Sequence, residues 1–425
     1  MKKLIAILLA CLMVLSMAAC GSNSASTDAA TADAADAAEV TEAAEAAATD
    51  AETESTGSNL VKVAVMCPMS GDSAQFYDQY RSAIDAAMKI VDEDNMLKDY
   101  ELEFEYIDDK GTTDGAPTAA TYALDQYGCN VSIGHLLTTM ILADGQYFED
   151  AETPLIGIVS GPASVSQGWN YLCIATGTDL VQGDTVVDYL VGYLGYKNIS
   201  LVNINTEGGI TAATEIERYL KEQYGLDLAT HDVMSNEDSD YTSVAMRMKD
   251  AGTDCVIFWG LSQASGQLCY TAVKTYCPDA AFAGGTNLAQ NQMLTTWNAE
   301  DIDGVVFPVG YIPDETNALQ PRATQYYTEN MEEYTGTAIA LTDVPARVFD
   351  AVLHIVTALN DMGLQDTESD TFNQNLAVAM RNASFDGIQG HFDFSANDNG
   401  VGLTSMNIGV WDSEYNQSKV QWSLD

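Results

Sequence analysis

The chain has 425 residues, 47% of them apolar, and carries a formal net charge of −45 from 62 acidic against 17 basic side chains. That length exceeds what one hydrophobic core usually organises, so two domains are expected. The charge excludes nucleic acid as a partner, because too few cations are available to neutralise phosphates, and an anionic membrane surface would repel the chain.

The start Met1-Lys2-Lys3, followed by the apolar run from Leu4 to Leu15, has the basic and short apolar regions of a secretory signal. The run is too short to span a bilayer, and no later segment reaches the roughly 20 apolar residues that a membrane helix needs. The signal ends in Leu15-Ser16-Met17-Ala18-Ala19-Cys20-Gly21, which resembles the lipobox of bacterial lipoproteins. That resemblance implies cleavage after residue 19 and a lipid on Cys20, so that the mature protein is tethered to the outer face of the cytoplasmic membrane. From residue 20 to residue 58 the chain is almost wholly Ala, Thr, Ser, Asp and Glu, without an aromatic or a basic residue. It cannot bury a core and reads as an extended stalk.

Regular patterning begins after the stalk. Val61 to Cys67 is an apolar run of strand length, Pro68-Met69-Ser70-Gly71 a turn, and Tyr80, Ile84, Ala87, Met88 and Val91 a helical stripe. Leu102 to Ile107 alternates like a strand, Ala116 to Tyr127 reads as helix, and Val131 to Ile133 and Leu155 to Val159 as strands. The rhythm restarts after Gly183, with strands at Ile199 to Ile204, Leu228 to Val233, Cys255 to Trp259 and Ala281 to Ala283. Helices at Thr211 to Tyr224 and Tyr241 to Ala251 lie between them. Strands alternating with helices imply right-handed crossovers and parallel sheets, and two consecutive sets imply two doubly wound α/β lobes. A helix from Val344 to Leu359 and a hairpin joining His391-Phe392-Asp393 to Asn407-Ile408-Gly409 are expected to close the chain.

Six cysteines lie beyond the signal and the anchor. Cys67, Cys129 and Cys255 fall in or beside apolar runs and read as buried thiols, while Cys269 and Cys277 are close enough to form a local disulfide. Catalytic patterns are missing. In Gly157-Ile158-Val159-Ser160-Gly161 the serine sits one place too late for a nucleophile elbow, and His135, His231, His354 and His391 have no paired metal spacing. Asp393 to Gly400 fails as a calcium loop, with a misplaced glycine and Thr404 where the glutamate belongs. No enzymatic activity and no cofactor or metal are expected.

In open parallel sheets ligands bind where strands exit into helix N-termini, so the strand exits are the candidate site. Three in the first half carry hydroxyls: Ser70-Gly71, Thr138-Thr139, and Ser160-Gly161-Pro162-Ala163-Ser164. Hydroxyls and backbone N–H groups suit a carboxylate or another acceptor-rich group, although Ser and Thr at such places also serve as helix caps.

Four stretches, in order and at the right spacing, resemble the type I periplasmic binding proteins of the leucine/isoleucine/valine-binding class. They are Ser70 to Gln79, Ile133-Gly134-His135-Leu136-Leu137-Thr138-Thr139, Asp179-Leu180-Val181-Gln182-Gly183, and Val256-Ile257-Phe258-Trp259-Gly260. The resemblance runs from about Leu60 to the end. It implies two α/β lobes joined by a three-crossover hinge, with residues 59–180 and 310–362 in the first lobe and 181–309 and 363–425 in the second. It also implies capture of an amino acid or related amide or carboxylate, a membrane ABC permease as partner, and a monomer. An extracytoplasmic sensor that presents its ligand to a membrane receptor is the alternative.

By the same resemblance, Phe76 packs on the ligand, Thr138 holds its carboxylate, and Ala163 and Ser164 hold carboxylate and ammonium, with Thr139 and Ser160 beside them. Glu207 and Leu261 stand where the family has tyrosines, and Thr286 and Asn287 where it has the ammonium-binding glutamate. Glu207, in the turn Asn205 to Gly209, is then either a substitute ammonium partner or an acidic residue placed at a helix N-terminus. Trp259, at the end of a strand, either faces the cleft opposite Phe76 or plugs the strand end as a core residue.

Overall fold

A computed structural model describes residues 58–424, apart from residues 236, 261–262 and 290–292; of residues 207, 263, 294–295 and 299–300 only the backbone is described. The signal peptide, the lipidation site at Cys20 and the stalk lie outside the described residues.

Five strands build the first sheet: β1 (Leu60–Cys67), β2 (Glu101–Asp108), β3 (Val131–Ile133), β4 (Leu155–Gly157) and β5 (Leu172–Ile174), in the order β2-β1-β3-β4-β5 and all parallel. β1 is apolar at nearly every position because helices cover both its faces, whereas β2, at the sheet edge, alternates Glu101, Glu103 and Glu105 with Leu102, Phe104 and Tyr106. Between the strands run α1 (Gln75–Glu93), α2 (Ala116–Thr121, continued by a π-helical turn to Tyr127) and α3 (Thr138–Asp150).

The chain then crosses over through Ala175 to Thr178. It forms α4 (Asp179–Val187), β6 (Ile199–Ile204), α5 (Glu207–Tyr224), β7 (Thr230–Met234), α6 (Thr242–Ala251), β8 (Cys255–Trp259), α7 (Gln263–Tyr276) and β9 (Ala281–Gly284). Two short helices, α8 (Met293–Thr296) and α9 (Ala299–Ile302), precede β10 (Val306–Val309). The parallel part of the second sheet is ordered β7-β6-β8-β9-β10, the winding of the first lobe repeated. Each lobe therefore has its topological switch point beside its first strand, between β1 and β3 and between β6 and β8, where a doubly wound sheet opens a crevice at its carboxyl edge.

A second crossing from Gly310 returns the chain to the first lobe for α10 (Gln320–Thr335), α11 (Asp343–Met362), α12 (Phe372–Asn382), β11 (Ser384–Asp386) and β12 (His391–Asp393). A third leads to β13 (Asn407–Trp411) and β14 (Gln417–Lys419), antiparallel strands that extend the second sheet beyond β10. α11 is buried nearly all round, as its apolar circumference requires. Val352 and Val356 on it share one core with Val63 and Val65 of β1, Ile84 and Ile90 of α1, and Leu376 and Met380 of α12.

Three expectations need correction. The expected hairpin does not form: Phe392 pairs with Phe385 of β11, and Ile408 pairs with Pro308 of β10. Phe392 belongs to the core of the first lobe and Ile408 to a core of the second, so the two runs are drawn apart. For the same reason the lobe boundary at residue 363 is displaced: Phe372, Phe392, Phe394 and Leu403 pack in the first lobe, and only β13 and β14 join the second. All six described cysteines are buried free thiols, Cys269 and Cys277 included, so the local disulfide is not made.

His354 of α11 is fully buried. Its ring stacks on Phe394 with centroids 3.9 Å apart, and Nε2 lies 2.8 Å from the carbonyl oxygen of Met380. Burial lowers its pKa from 6.5 to about 4. The folded-state value lies below the unfolded one, so the stabilisation is present above pH 6.5 and is lost as pH falls towards 4. A His354→Gln variant keeps a donor for Met380 but does not titrate. Thermal melts at pH 7 and 4.5 should show wild type losing roughly 2 kcal/mol more than the variant; equal losses would refute the assignment.

Candidate functional site: the interlobe cleft

The wall from the first lobe is built on strand exits. After β3 the chain turns into α3, whose first residues are Thr138 and Thr139. After β4 it passes through Ser160 to Ser164. The two exits touch: a Cβ added to Gly161 would lie 2.5 Å from Thr138 Oγ1, so only glycine lets them approach. The Thr139 hydroxyl lies 3.2 Å from that of Thr113, and Ser164 Oγ donates to the Gly161 carbonyl at 2.8 Å. Ser160 anchors the first crossover: its carbonyl accepts from the Asp179 N–H at 2.9 Å and its hydroxyl bonds to the Asp179 carboxylate. Burial pushes Asp179 up to about 6, partly offset by Ser160, the nearby Arg347 guanidinium and the Gln182 amide. Ser70, the third hydroxyl exit, donates to Asp108 Oδ2 at 2.6 Å and closes its own turn.

The cleft itself has a volume of about 1020 Å³ and takes its walls from both lobes. Phe76 and Gln79 of α1 and Asp343 and Arg347 of α11 come from the first. Thr286, after β9, and Trp411 and Tyr415, at the β13–β14 turn, come from the second, and Tyr311 lies on the second crossing. Trp411 Nε1 donates to the Leu288 carbonyl at 2.6 Å, fixing the indole as an apolar wall. Asp343 accepts from the Tyr311 N–H at 3.1 Å and from Arg347 Nη2. Arg347 Nη1 donates to the Ile158 carbonyl at 2.9 Å, two residues before Ser160. Arg347 thus joins the mouth of α11 to the β4 exit.

The three crossings are stitched together directly beneath. Gln389 Nε2 donates to the Ala175 carbonyl at 2.9 Å, and Asn407 Nδ2 donates to the carbonyls of Gly310 at 2.6 Å and Gln389 at 2.8 Å. A Cβ on Gly310 would lie 2.5 Å from Gln389 Oε1 and 2.7 Å from Asp343 Oδ1, so the hinge and the cleft carboxylate are packed against each other.

Of the residues the sequence pointed to, Phe76 and Thr286 line this cleft. Thr138, Thr139, Ser160, Ala163 and Ser164 cluster at the adjoining β3 and β4 exits. Asn287 is buried behind Thr286, whose N–H faces Gln182 Oε1 at 3.4 Å. Glu207 is the first residue of α5, after the cap Thr206, whose hydroxyl accepts from the Gly209 N–H at 3.1 Å; its side chain, and the whole of Leu261, lie outside the described residues. Trp259 does not reach the cleft: it is 7% exposed and packs in a core of the second lobe with Ile257, Ala283 and Ile408. Trp411 and Tyr415 take the place expected for it. Asp343, Arg347, Tyr311, Trp411 and Tyr415 escaped the sequence reading. One signal pointed to Arg347, a cation in the largely apolar stretch that opens α11.

Two parallel α/β lobes, crossed three times by the chain and enclosing a cleft walled by both, define a two-lobed solute-binding protein. The sequence model of the periplasmic binding protein family matches residues 60–416, and the chain belongs to that family, whose location is extracytoplasmic. It is 26% identical to the Leu/Ile/Val-binding protein of Citrobacter freundii over 262 residues, 61% of this chain and 70% of that protein. An ABC transporter substrate-binding protein from Sphaerobacter thermophilus superposes with a TM-score of 0.68 at 16% identity, covering 86% of this chain and 97% of that one. One from Desulfitobacterium hafniense, in complex with Leu, gives 0.65 at 16% identity, covering 85% and 100%. These relatives are binding proteins of transporters and not enzymes. Among the described residues no helix is long and apolar enough to cross a membrane.

Proposed function

We propose that this protein captures a small amino acid, or a related amide or carboxylate, between its lobes and delivers it to an ABC permease. On this reading it works as a monomer at the outer face of the cytoplasmic membrane, held by a lipid on Cys20. The observation that carries the proposal is the cleft, where Phe76, Trp411 and Tyr415 offer apolar surface beside the charged pair Asp343 and Arg347; the hydroxyls and the α3 N-terminus at the β3 and β4 exits, joined to it through the Arg347 bond to the Ile158 carbonyl, favour an acceptor-rich end. The names of the relatives support an importer rather than a sensory partner.

The test is a thermal-shift screen of amino acids, their amides and simple carboxylates, followed by small-angle scattering. A ligand at about 100 times its dissociation constant adds about 2.7 kcal/mol, and hinge closure should shrink the scattering radius. A protein that no compound of these classes stabilises, or whose radius stays constant at saturation, would refute the proposal.

A further inference from the structure

Among the described residues that line the cleft, two are charged, Asp343 and Arg347, one turn apart on α11. They are not equally available. Arg347 donates to the Ile158 carbonyl and to Asp343 Oδ2, its Nε is buried, and its side chain is only 11% exposed, so burial rather than a lack of donors limits its access to a ligand. The Asp343 side chain is 25% exposed and accepts from one backbone N–H and one guanidinium. An ionised carboxylate has about four acceptor positions, so it retains capacity for another donor. Asp179, at the first crossover, lies within the field of Arg347. Two carboxylates against one guanidinium leave a net negative charge at this end once Asp179 is ionised. Thr286 and Asn287, where the family resemblance places an acid, are neutral.

We infer that Asp343 receives the ammonium group of an α-amino acid ligand, so that the cation site of this cleft belongs to the first lobe. The inference rests on the amino-acid reading above. The wall then has two ends matched to a zwitterion: hydroxyls and the α3 N-terminus for the carboxylate, and Asp343 for the amine, with Arg347 as the positioning residue that ties Asp343 to the β4 exit beside Ser160. A ligand without an amine would leave the exposed face of Asp343 desolvated and unmatched in the closed cleft.

Calorimetry on the full mature chain tests this with leucine, threonine and glutamine, each beside the matching acid that lacks the amino group. Asp343→Asn should weaken the bound amino acid by about 10- to 100-fold and leave the matching acid within about 2-fold, the range of a hydrogen bond to a charged group. Should Asp343→Asn fail to fold, the double variant Asp343→Asn with Arg347→Gln turns the ion pair into a neutral amide pair and is held to the same outcome. An amino acid bound by the variant as tightly as by wild type overturns the inference and leaves the transport reading standing. So does a loss produced by Glu207→Gln and not by Asp343→Asn. Wild type that binds none of the three amino acids but binds a matching acid overturns the inference alone; wild type that binds no compound of the wider screen takes both readings down.

Discussion

Replacing His135 with alanine should destabilise the protein by about 3–5 kcal/mol, the usual consequence of removing one member of a buried ionic cluster. The ring is fully buried between two carboxylates that are themselves fully buried: Nδ1 lies 2.7 Å from Asp109 Oδ2 and Nε2 2.7 Å from Asp144 Oδ2. Asp109 follows β2, His135 follows β3 and Asp144 lies in α3, so the cluster ties together the carboxyl edge of the first sheet and the helix that carries Thr138 and Thr139. Burial alone would lower the imidazole pKa. Hydrogen bonds to both carboxylates, and their charges, outweigh it and raise the pKa from 6.5 to about 9. The folded-state value exceeds the unfolded one, so the stabilisation is complete below pH 6.5 and is lost as pH rises towards 9. Urea unfolding at pH 6, 7.5 and 9 should therefore show wild type weakening by roughly 3 kcal/mol across this range. His135→Ala, less stable throughout, should lack that slope. Wild type equally stable at pH 6 and pH 9 would contradict the assignment.

The second large effect is expected at the hinge. Asp350 of α11 is completely buried and accepts three hydrogen bonds: Oδ1 from the Ile388 N–H at 2.8 Å, and Oδ2 from the Gln389 N–H and Gln389 Nε2, each at 3.0 Å. Burial pushes its pKa up to about 7 against these donors. The same Gln389 amide reaches the first crossing at Ala175, and the Gln389 carbonyl accepts from Asn407, which also holds Gly310 of the second. Asp350→Ala strands two buried backbone N–H groups, at about 1–3 kcal/mol for each, and frees Gln389 from its register. The expected result is a loss of about 2–5 kcal/mol in stability, together with weaker ligand binding, because the crossings no longer hold the lobes in register for closure. Asp350→Asn keeps one acceptor and should lose less in both measurements. Unfolding curves and calorimetry on the same preparations give the two numbers. An alanine variant as stable as wild type would show that the stitching at Gln389 is dispensable.

How much of this was legible before folding depends on the reach of each signal. The secretory signal, the lipobox-like junction at Cys20 and the acidic stalk are read from composition and local order alone. The two sets of alternating strands and helices were legible because β1, β6 and β8 are long, apolar and bounded by turns, and their periodicity implies parallel sheets and strand-exit sites without further information. β5 and β10 escaped the reading because three or four residues carry too little periodicity, and β10 contains Pro308, which argues against a strand. The fate of His391 to Asp393 and of Asn407 to Trp411 could not be decided locally. Both are short apolar runs, and only the competing cores of the two lobes determine that the first pairs with Ser384–Asp386 and the second with Val306–Val309. The site divides in the same way. Thr138, Ser160 and Phe76 sit at or beside exits that periodicity marks. Asp343, Arg347, Trp411 and Tyr415 enter the cleft only because the chain crosses the hinge a second and a third time, which brings residues distant in the chain into one cleft with Phe76 of α1. A carboxylate's value as a ligand group depends on which donors surround it and which face stays open, and packing alone decides that.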